Sequence, residues 1–339
     1  MRPPAGGPPA GARRVRRRAL LAASALLALP AAARAQAQSW PGRPVTLVVP
    51  FGAGGNVDAL ARVIAPGLSA RLGQPVVVEN VPGAGGVLGV ERVARAAPDG
   101  HALVMGVEGP ISIMPSLSPG TLRFDPERDL VPVALVASLP LVLIGRPDLP
   151  AADLAALLAL GRDAPGGLTL ATSGTGTILH LFAALLAQRS GAKLEHVPYR
   201  VAAQIPADLV SGRLDLAVLT VTSAAPLLRE GRVKGYAVSG PTAIPGLPGV
   251  PPAAALPALR GIAMEGWQAL FAPARTPPEW VAHIGAAVAD LLAEPAVRDK
   301  LDNLGMTPGA LPREALPGFL AAEAARYAAI IRDGNIRLD

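Results

Sequence analysis

Along the chain, short apolar runs alternate with stretches whose apolar residues recur at helical spacing. PVTLVVP (44–50), QPVVVEN (74–80) and HALVMGV (101–107) read as strands. Between the first two, Leu60, Val63, Ile64, Leu68 and Leu72 share one helix face, with Pro66 placed to kink it. Further apolar runs fill 131–147, and LTLATSG (168–174), EHVPY (195–199), DLAVLTV (215–221) and KGYAVSG (234–240) read as buried strands. Helical spacing predicts helices over 178–188 and 223–230, and two longer ones over 278–293 and 313–333. This alternation predicts α/β layers with mostly parallel sheets. PTAIPGLPGVPPAAALP (241–257) breaks the pattern and reads as a long surface connection that returns the chain to an earlier domain.

Composition adds a sizeable core: 51% of the 339 residues are apolar and 17% are charged, enough for two ordinary domains. Arg13, Arg14, Arg16, Arg17 and Arg18 precede an apolar run from Ala19 to Pro30. Small-x-small sites follow at Ala33-Arg34-Ala35 and Ala35-Gln36-Ala37. This three-part pattern predicts a secretory signal over 1–37 and a periplasmic protein. The apolar run is too short to span a bilayer, which takes roughly 20 residues. The paired arginines leave both the general and the twin-arginine export routes open.

Export changes the charge argument. Residues 1–35 hold seven of the 31 basic residues and none of the 25 acids, leaving 24 basic against 25 acidic residues, a net of −1. The basic isoelectric point therefore belongs to the signal, and binding to nucleic acid loses its support. There is no Cys, which excludes disulfides, thiolate nucleophiles and Cys-based metal sites.

Three stretches have the form strand, Gly-rich turn, helix: FGAGGNVD (51–58), VPGAGGVLG (81–89) and TSGTGTILH (172–180). No Lys follows these glycines, so none is a Walker loop. Gly83, Gly85 and Gly89 give GxGxxxG, and Gly52, Gly54 and Gly55 give GxGG, so neither is a dinucleotide fingerprint. Helix N-termini still offer unpaired N–H groups and a partial positive charge, and glycine lets a ligand approach the backbone. Two or three such ends facing one cleft suit a small carboxylate. For any one loop alone, a tight turn is a sufficient explanation. There is no GxSxG, and no HExxH or equivalent metal signature. Neither a catalytic residue, a metal nor a cofactor is expected.

The stretch from Phe51 to Gly106 resembles the Bug family, the periplasmic solute-binding proteins of tripartite tricarboxylate transporters. The likeness continues through FDPERDLVPVALVASLPLVL (124–143), TSGTGTILHL (172–181), VPYR (197–200), LVSGRLDL (209–216) and GWQALFAPARTP (266–277). It implies a type II periplasmic-binding fold: two α/β domains, here 38–138 with 241–339 and 139–240, with the ligand between them. It implies capture of a small carboxylate by hinge closure, by a monomer that delivers to membrane permease subunits. A periplasmic sensor feeding a kinase, or an enzyme on the same fold, are the rival readings. Carried onto this chain, the family's ligand contacts fall on Phe51, Gly52, Ala53, Gly54, Gly55 and Asp58, and on Ser173, Thr175, Gly176, Thr177 and His180.

Departures from the family pattern add Arg200 and Thr220. Arg200, Val201 and Ala202 stand where Lys-Gly-Ser is common, and Leu219 and Thr220 where Asp-Asn is common. Arg keeps the charge and adds a bidentate fork. Glu108 and Met114-Pro115 replace small polar residues and Asn-Pro. Lost polar groups on this wall predict a less polar far end of the ligand. Glu108 reads as a solvated rim residue, or as a partner for a cationic or hydroxyl group. Asp58 reads as a capping carboxylate that orders the loop or meets a ligand donor. His180 reads as a neutral donor to the loop or ligand, or as plain packing, and Trp267 as a cleft wall or as core.

Overall fold

The computed structural model describes Met1, Gly6, residues 40–333 apart from Pro245, and residues 335–337. The secretory signal expected over 1–37 lies outside the described residues but for Met1 and Gly6. Residues 43–339 form one compact unit.

Among the described residues ten strands build it: β1 (Val45–Val49), β2 (Val76–Asn80), β3 (Ala102–Val107), β4 (Leu130–Gly145), β5 (Leu168–Thr172), β6 (Leu194–Pro198), β7 (Leu216–Thr220), β8 (Lys234–Val238), β9 (Glu265–Pro273) and β10 (Thr307–Pro308). They form two ladders that share β4. One runs β2-β1-β3-β9-β4 and the other β6-β5-β7-β4-β8. The two orders repeat one connection rule: a second strand outside the first, a third inside, then a strand arriving from the other half of the chain, then a fourth.

The pairings of β1 with β2 and β3, and of β5 with β6 and β7, are parallel. Those of β4, β8 and β9 are antiparallel, so the sheet is mixed where mostly parallel strands were expected. β9 arrives from the other half of the chain and lies antiparallel between β3 and β4, and β4 runs on into the second ladder to lie antiparallel to β7 and β8. The apolar runs within 131–147 are one 16-residue strand. β4 pairs with β9 as far as Pro140, and with β7 from Leu141 onward. Proline has no N–H for a ladder, and Pro140 stands where the strand changes partner.

Helices cover the sheet faces: α1 (Asn56–Leu72), α2 (Val87–Ala94), α3 (Ile178–Ser190), α4 (Val221–Arg229), α5 (Pro278–Ala293) and α6 (Leu316–Asp333). α1 buries Leu60, Ile64, Leu68 and Leu72, the apolar face expected of it, and passes Pro66 as one helix. Gly89 lets α2 lie against the end of β1, where a Cβ would come within 2.7 Å of the Pro50 Cα. The Pro-rich stretch 241–257 is more than a surface connection, since Leu247, Val250 and Ala253 are buried and Pro252 bridges to Val238.

Candidate functional site

A cleft open to solvent lies where the two ladders meet. Its floor is one face of the sheet. Val107 pairs with Gln268, Gly266 with Leu139, and Leu141 with Thr220, so these side chains project to the same side across β3, β9, β4 and β7. Its walls are helix starts. Gly55, Asn56 and Val57 bring the N-terminus of α1, and Thr177, Ile178 and Leu179 that of α3. Thr220 precedes the first residue of α4. Three helix dipoles thus present their positive ends to one space.

The first Gly-rich loop is held by Asp58. Its Oδ2 accepts from the Gly54 N–H at 3.0 Å and from the Arg62 Nε at 2.9 Å, and its Oδ1 accepts from the Asn80 amide at 3.0 Å. Asn80 also donates to the Phe51 carbonyl at 3.0 Å. Burial alone would raise the Asp58 carboxyl, but the hydrogen bonds from Arg62, Gly54 and Asn80 outweigh it and hold it below the usual carboxylate range. The Gly54 N–H is thereby engaged inside the loop. Gly54 itself has φ +82°, a left-handed conformation that glycine tolerates best.

The third loop is held from beneath. Thr177 caps α3, its Oγ1 accepting from the His180 N–H at 3.3 Å and donating to the Gly174 carbonyl at 2.8 Å. The Gly176 N–H donates to His180 Nδ1 at 3.3 Å, so this nitrogen accepts and helps to hold the loop. The His180 ring stacks on His196 with centroids 4.2 Å apart, and His196 Nε2 lies 2.7 Å from Thr172 Oγ1.

The second loop does not line the cleft; it packs on the third. A Cβ on Gly85 would lie 2.6 Å from the Thr175 carbonyl oxygen, and one on Gly109 would lie 3.1 Å from that of Gly176. Gly85 also has φ +63°. Gly85→Ala is therefore expected to push the two loops apart and to cost roughly 1–3 kcal/mol. Chemical denaturation of the variant beside the wild type checks this; an unchanged midpoint contradicts it.

Arg200 and Glu108 are the ionisable residues of the lining. Arg200 is exposed and, among the described residues, pairs with no carboxylate. The turn that carries it is fixed by the Tyr199 hydroxyl, which donates to Asp208 at 2.6 Å; Arg213 donates to the other Asp208 oxygen at 2.6 Å. Burial, then the Asp208 carboxylate, pushes the Tyr199 hydroxyl up to about 12.

Glu108 is buried, which corrects its reading as a solvated rim residue. Its Oε1 accepts from the Trp267 N–H. Burial pushes its carboxyl up to about 8, against smaller opposing hydrogen bonds from the backbone. At neutral pH it is mostly protonated, and the lining carries the single positive charge of Arg200. Trp267 alternates away from the floor and packs with Phe271 and Phe319, so it is core.

Of the residues expected at the site, Phe51, Gly52, Ala53, Gly55, Ser173, Thr177, Arg200 and Thr220 line the cleft. Gly54, Asp58, Thr175, Gly176 and His180 lie outside that lining, in the bonds and contacts that shape the loops. Gln268 lines the floor and was missed. It is 1% exposed, and neither its amide nitrogen nor its oxygen has a hydrogen-bond partner among the described residues. The signal in the sequence was one polar residue inside the apolar strand GWQALFAP.

Residues 60–336 match the tripartite tricarboxylate transporter family receptor. A protein encoded in the tcbD-tcbE intergenic region of Pseudomonas sp. strain P51 is 38% identical over 317 residues, covering 93% of this chain and 94% of that one. MatC from Rhodopseudomonas palustris, solved with bound malate, has a TM-score of 0.80 at 34% identity, over 86% of this chain and 100% of that one. An R. palustris protein solved with adipate has a TM-score of 0.83 at 32% identity, over 88% and 99%. With the twice-repeated strand order and a cleft between the ladders, these likenesses identify the chain as a member of the tripartite tricarboxylate transporter receptor family, a solute-binding receptor of the two-domain α/β type II fold.

Proposed function

We propose that this receptor captures a small carboxylate in the periplasm and delivers it to the membrane subunits of a tripartite tricarboxylate-type transporter, without changing it chemically. The observation that carries the reading is the convergence of the α1, α3 and α4 N-termini on one cleft whose lining holds Arg200, a cation that pairs with no carboxylate among the described residues. Unpaired N–H groups and helix dipoles at such ends favour an anion. The malate and adipate of the two R. palustris proteins are acids of this class.

In this reading one carboxylate is held by backbone groups of the loops 51–57 and 173–179, with Arg200 closing over it. Phe51, Gly52, Ala53, Gly55, Ser173, Thr177 and Thr220 contact the ligand; Gly54, Asp58, Thr175, Gly176 and His180 position the loops. The domains are 38–138 with 241–339, and 139–240, and the change of partner along β4 at 140–141 supports that division. Each domain contributes half the contacts, so a ligand favours the closed arrangement by what it gains from both. The receptor acts as a monomer, exported by the segment 1–37.

A thermal-shift screen of the purified protein against C3 to C8 carboxylates tests this. A binding acid present at about 100 times its Kd is expected to stabilise the fold by about 2.7 kcal/mol. A broad panel in which no carboxylate moves the melt contradicts the proposal.

A further inference from the structure

The far end of the cleft carries chemistry that the carboxylate anchor leaves unexplained. Gln268 on β9 and Thr220 at the end of β7 are 1% and 6% exposed, and the Gln268 amide atoms and the Thr220 hydroxyl have no hydrogen-bond partner among the described residues. Both side chains line the cleft, one on each ladder, with Leu139 and Leu141 of β4 between them. Buried polar groups left unpaired are costly, so a ligand that pairs them gains specificity. Glu108, the neighbour of Val107, stands at the same floor.

We propose that this floor recognises an uncharged hydrogen-bonding group, so that the preferred ligand is a monocarboxylate with a hydroxyl or primary amide at its far end rather than a second ionised carboxylate. The inference rests on the carboxylate-receptor reading above and specifies the ligand within it. The amide of Gln268 offers two donors and an acceptor, and the hydroxyl of Thr220 offers one donor as well as lone pairs. A hydroxyl or amide both gives and accepts, and can satisfy them together. An ionised carboxylate only accepts, and leaves the Gln268 oxygen unmet.

Charge argues the same way. A second carboxylate at the floor would sit beside the Glu108 carboxyl with no cation assigned to it. The charged and titratable groups near Glu108 from the packed C-terminal helix are Glu323, Arg326 and Tyr327. Arg326 is already bridged to Glu323 at 2.6 Å, and Arg200 stands exposed on the opposite element of the cleft. This specifies the expected less polar far end: the floor is uncharged at neutral pH and rich in hydrogen-bonding capacity. Burial keeps Glu108 protonated to about pH 8, so raising the pH past that value adds a negative charge and sharpens the discrimination.

Calorimetric titration with adipate, 6-hydroxyhexanoate and the monoamide of adipic acid, at pH 6 and pH 9, tests the proposal on one chain length. The wild type is expected to bind the hydroxy acid or the half-amide at least tenfold tighter than adipate, with the ratio rising several-fold at pH 9. Gln268→Leu is expected to erase the preference, and Glu108→Gln to make it independent of pH. Adipate binding as tightly as the uncharged partners at both pH values overturns the inference and leaves the receptor reading standing. Failure of all three acids, while a carboxylate of another length stabilises the fold, transfers the same comparison to that length, where an equal or tighter diacid overturns the inference. If no carboxylate of any length binds, the receptor reading and the inference fall together.

Discussion

Replacing Glu108 by Gln is expected to raise the melting temperature at pH 8.5 and above, and to leave it nearly unchanged at pH 4.5. The native state keeps the Glu108 proton to about pH 8, whereas the ordinary value is 4.5. Between those values the folded protein binds more protons than the unfolded chain, so stability falls as pH rises through this window. The full span corresponds to roughly 5 kcal/mol, at about 1.4 kcal/mol per pH unit. Gln keeps an oxygen to accept from the Trp267 N–H and cannot ionise, so it removes the cost without removing the bond. The shift expected at high pH is on the order of 5–10 °C for a chain of this size. Thermal melts of both proteins from pH 4.5 to 9 check this. A difference that does not grow with pH would show that Glu108 ionises freely in the fold.

Asp58→Ala is expected to have the largest effect on the anchor. It strips three donors of their acceptor: the Gly54 N–H, the Asn80 amide and Arg62. Gly54 is then free to leave its left-handed conformation, and the loop between β1 and α1, whose Phe51, Gly52, Ala53 and Gly55 line the cleft, loses its shape. The stability cost is about 2–4 kcal/mol, since a buried carboxylate with several charge-assisted bonds is lost. The affinity for the acid is expected to fall about 100-fold, equivalent to about 2.7 kcal/mol. Asp58→Asn keeps the shape and one acceptor oxygen, and should fall between the two. Because the Asp58 carboxyl is held low, its contribution is complete above its ordinary value of 3.8 and is lost only as pH falls below it. Titrations of the three proteins at pH 7, with melts beside them, decide this. Full affinity in the alanine variant would mean that the loop is shaped without Asp58.

The elements that the sequence made legible were those with a local signature. β1, β2, β3 and β5 to β8 are short apolar runs bounded by Gly, Pro or polar residues, and α5 follows the helical spacing over 278–293. β9 was not read as a strand, because GWQALFAP is apolar without alternation and its partners lie more than 100 residues earlier. The unity of β4 was hidden by Pro140, whose missing N–H argues against a central strand and is tolerated here where the strand changes partner.

The site divides along the same line. Loops that bring their own glycines, such as 51–55 and 173–177, could be seen in the sequence. Asp58, four residues from Gly54, could be read as the carboxylate that orders its loop, whereas the space that Gly85 clears for Thr175 is set by a loop 90 residues on and could not. Gln268 and Glu108 reach the floor only through the register of β3, β9 and β4, which is a property of distant pairings.

A receptor of this kind is expected to take up a carboxylate in its cleft and to return it unaltered. This is tested most directly by titrating the purified protein with the acid that stabilises it most, and then recovering and weighing the acid by mass spectrometry. One site per chain is expected, with a Kd in the micromolar range or tighter, which is about −8 kcal/mol or more favourable, and an acid of unchanged mass after prolonged incubation. Conversion of the acid, or full-affinity binding that survives Asp58→Ala, Gln268→Leu and Arg200→Ala alike, would contradict it.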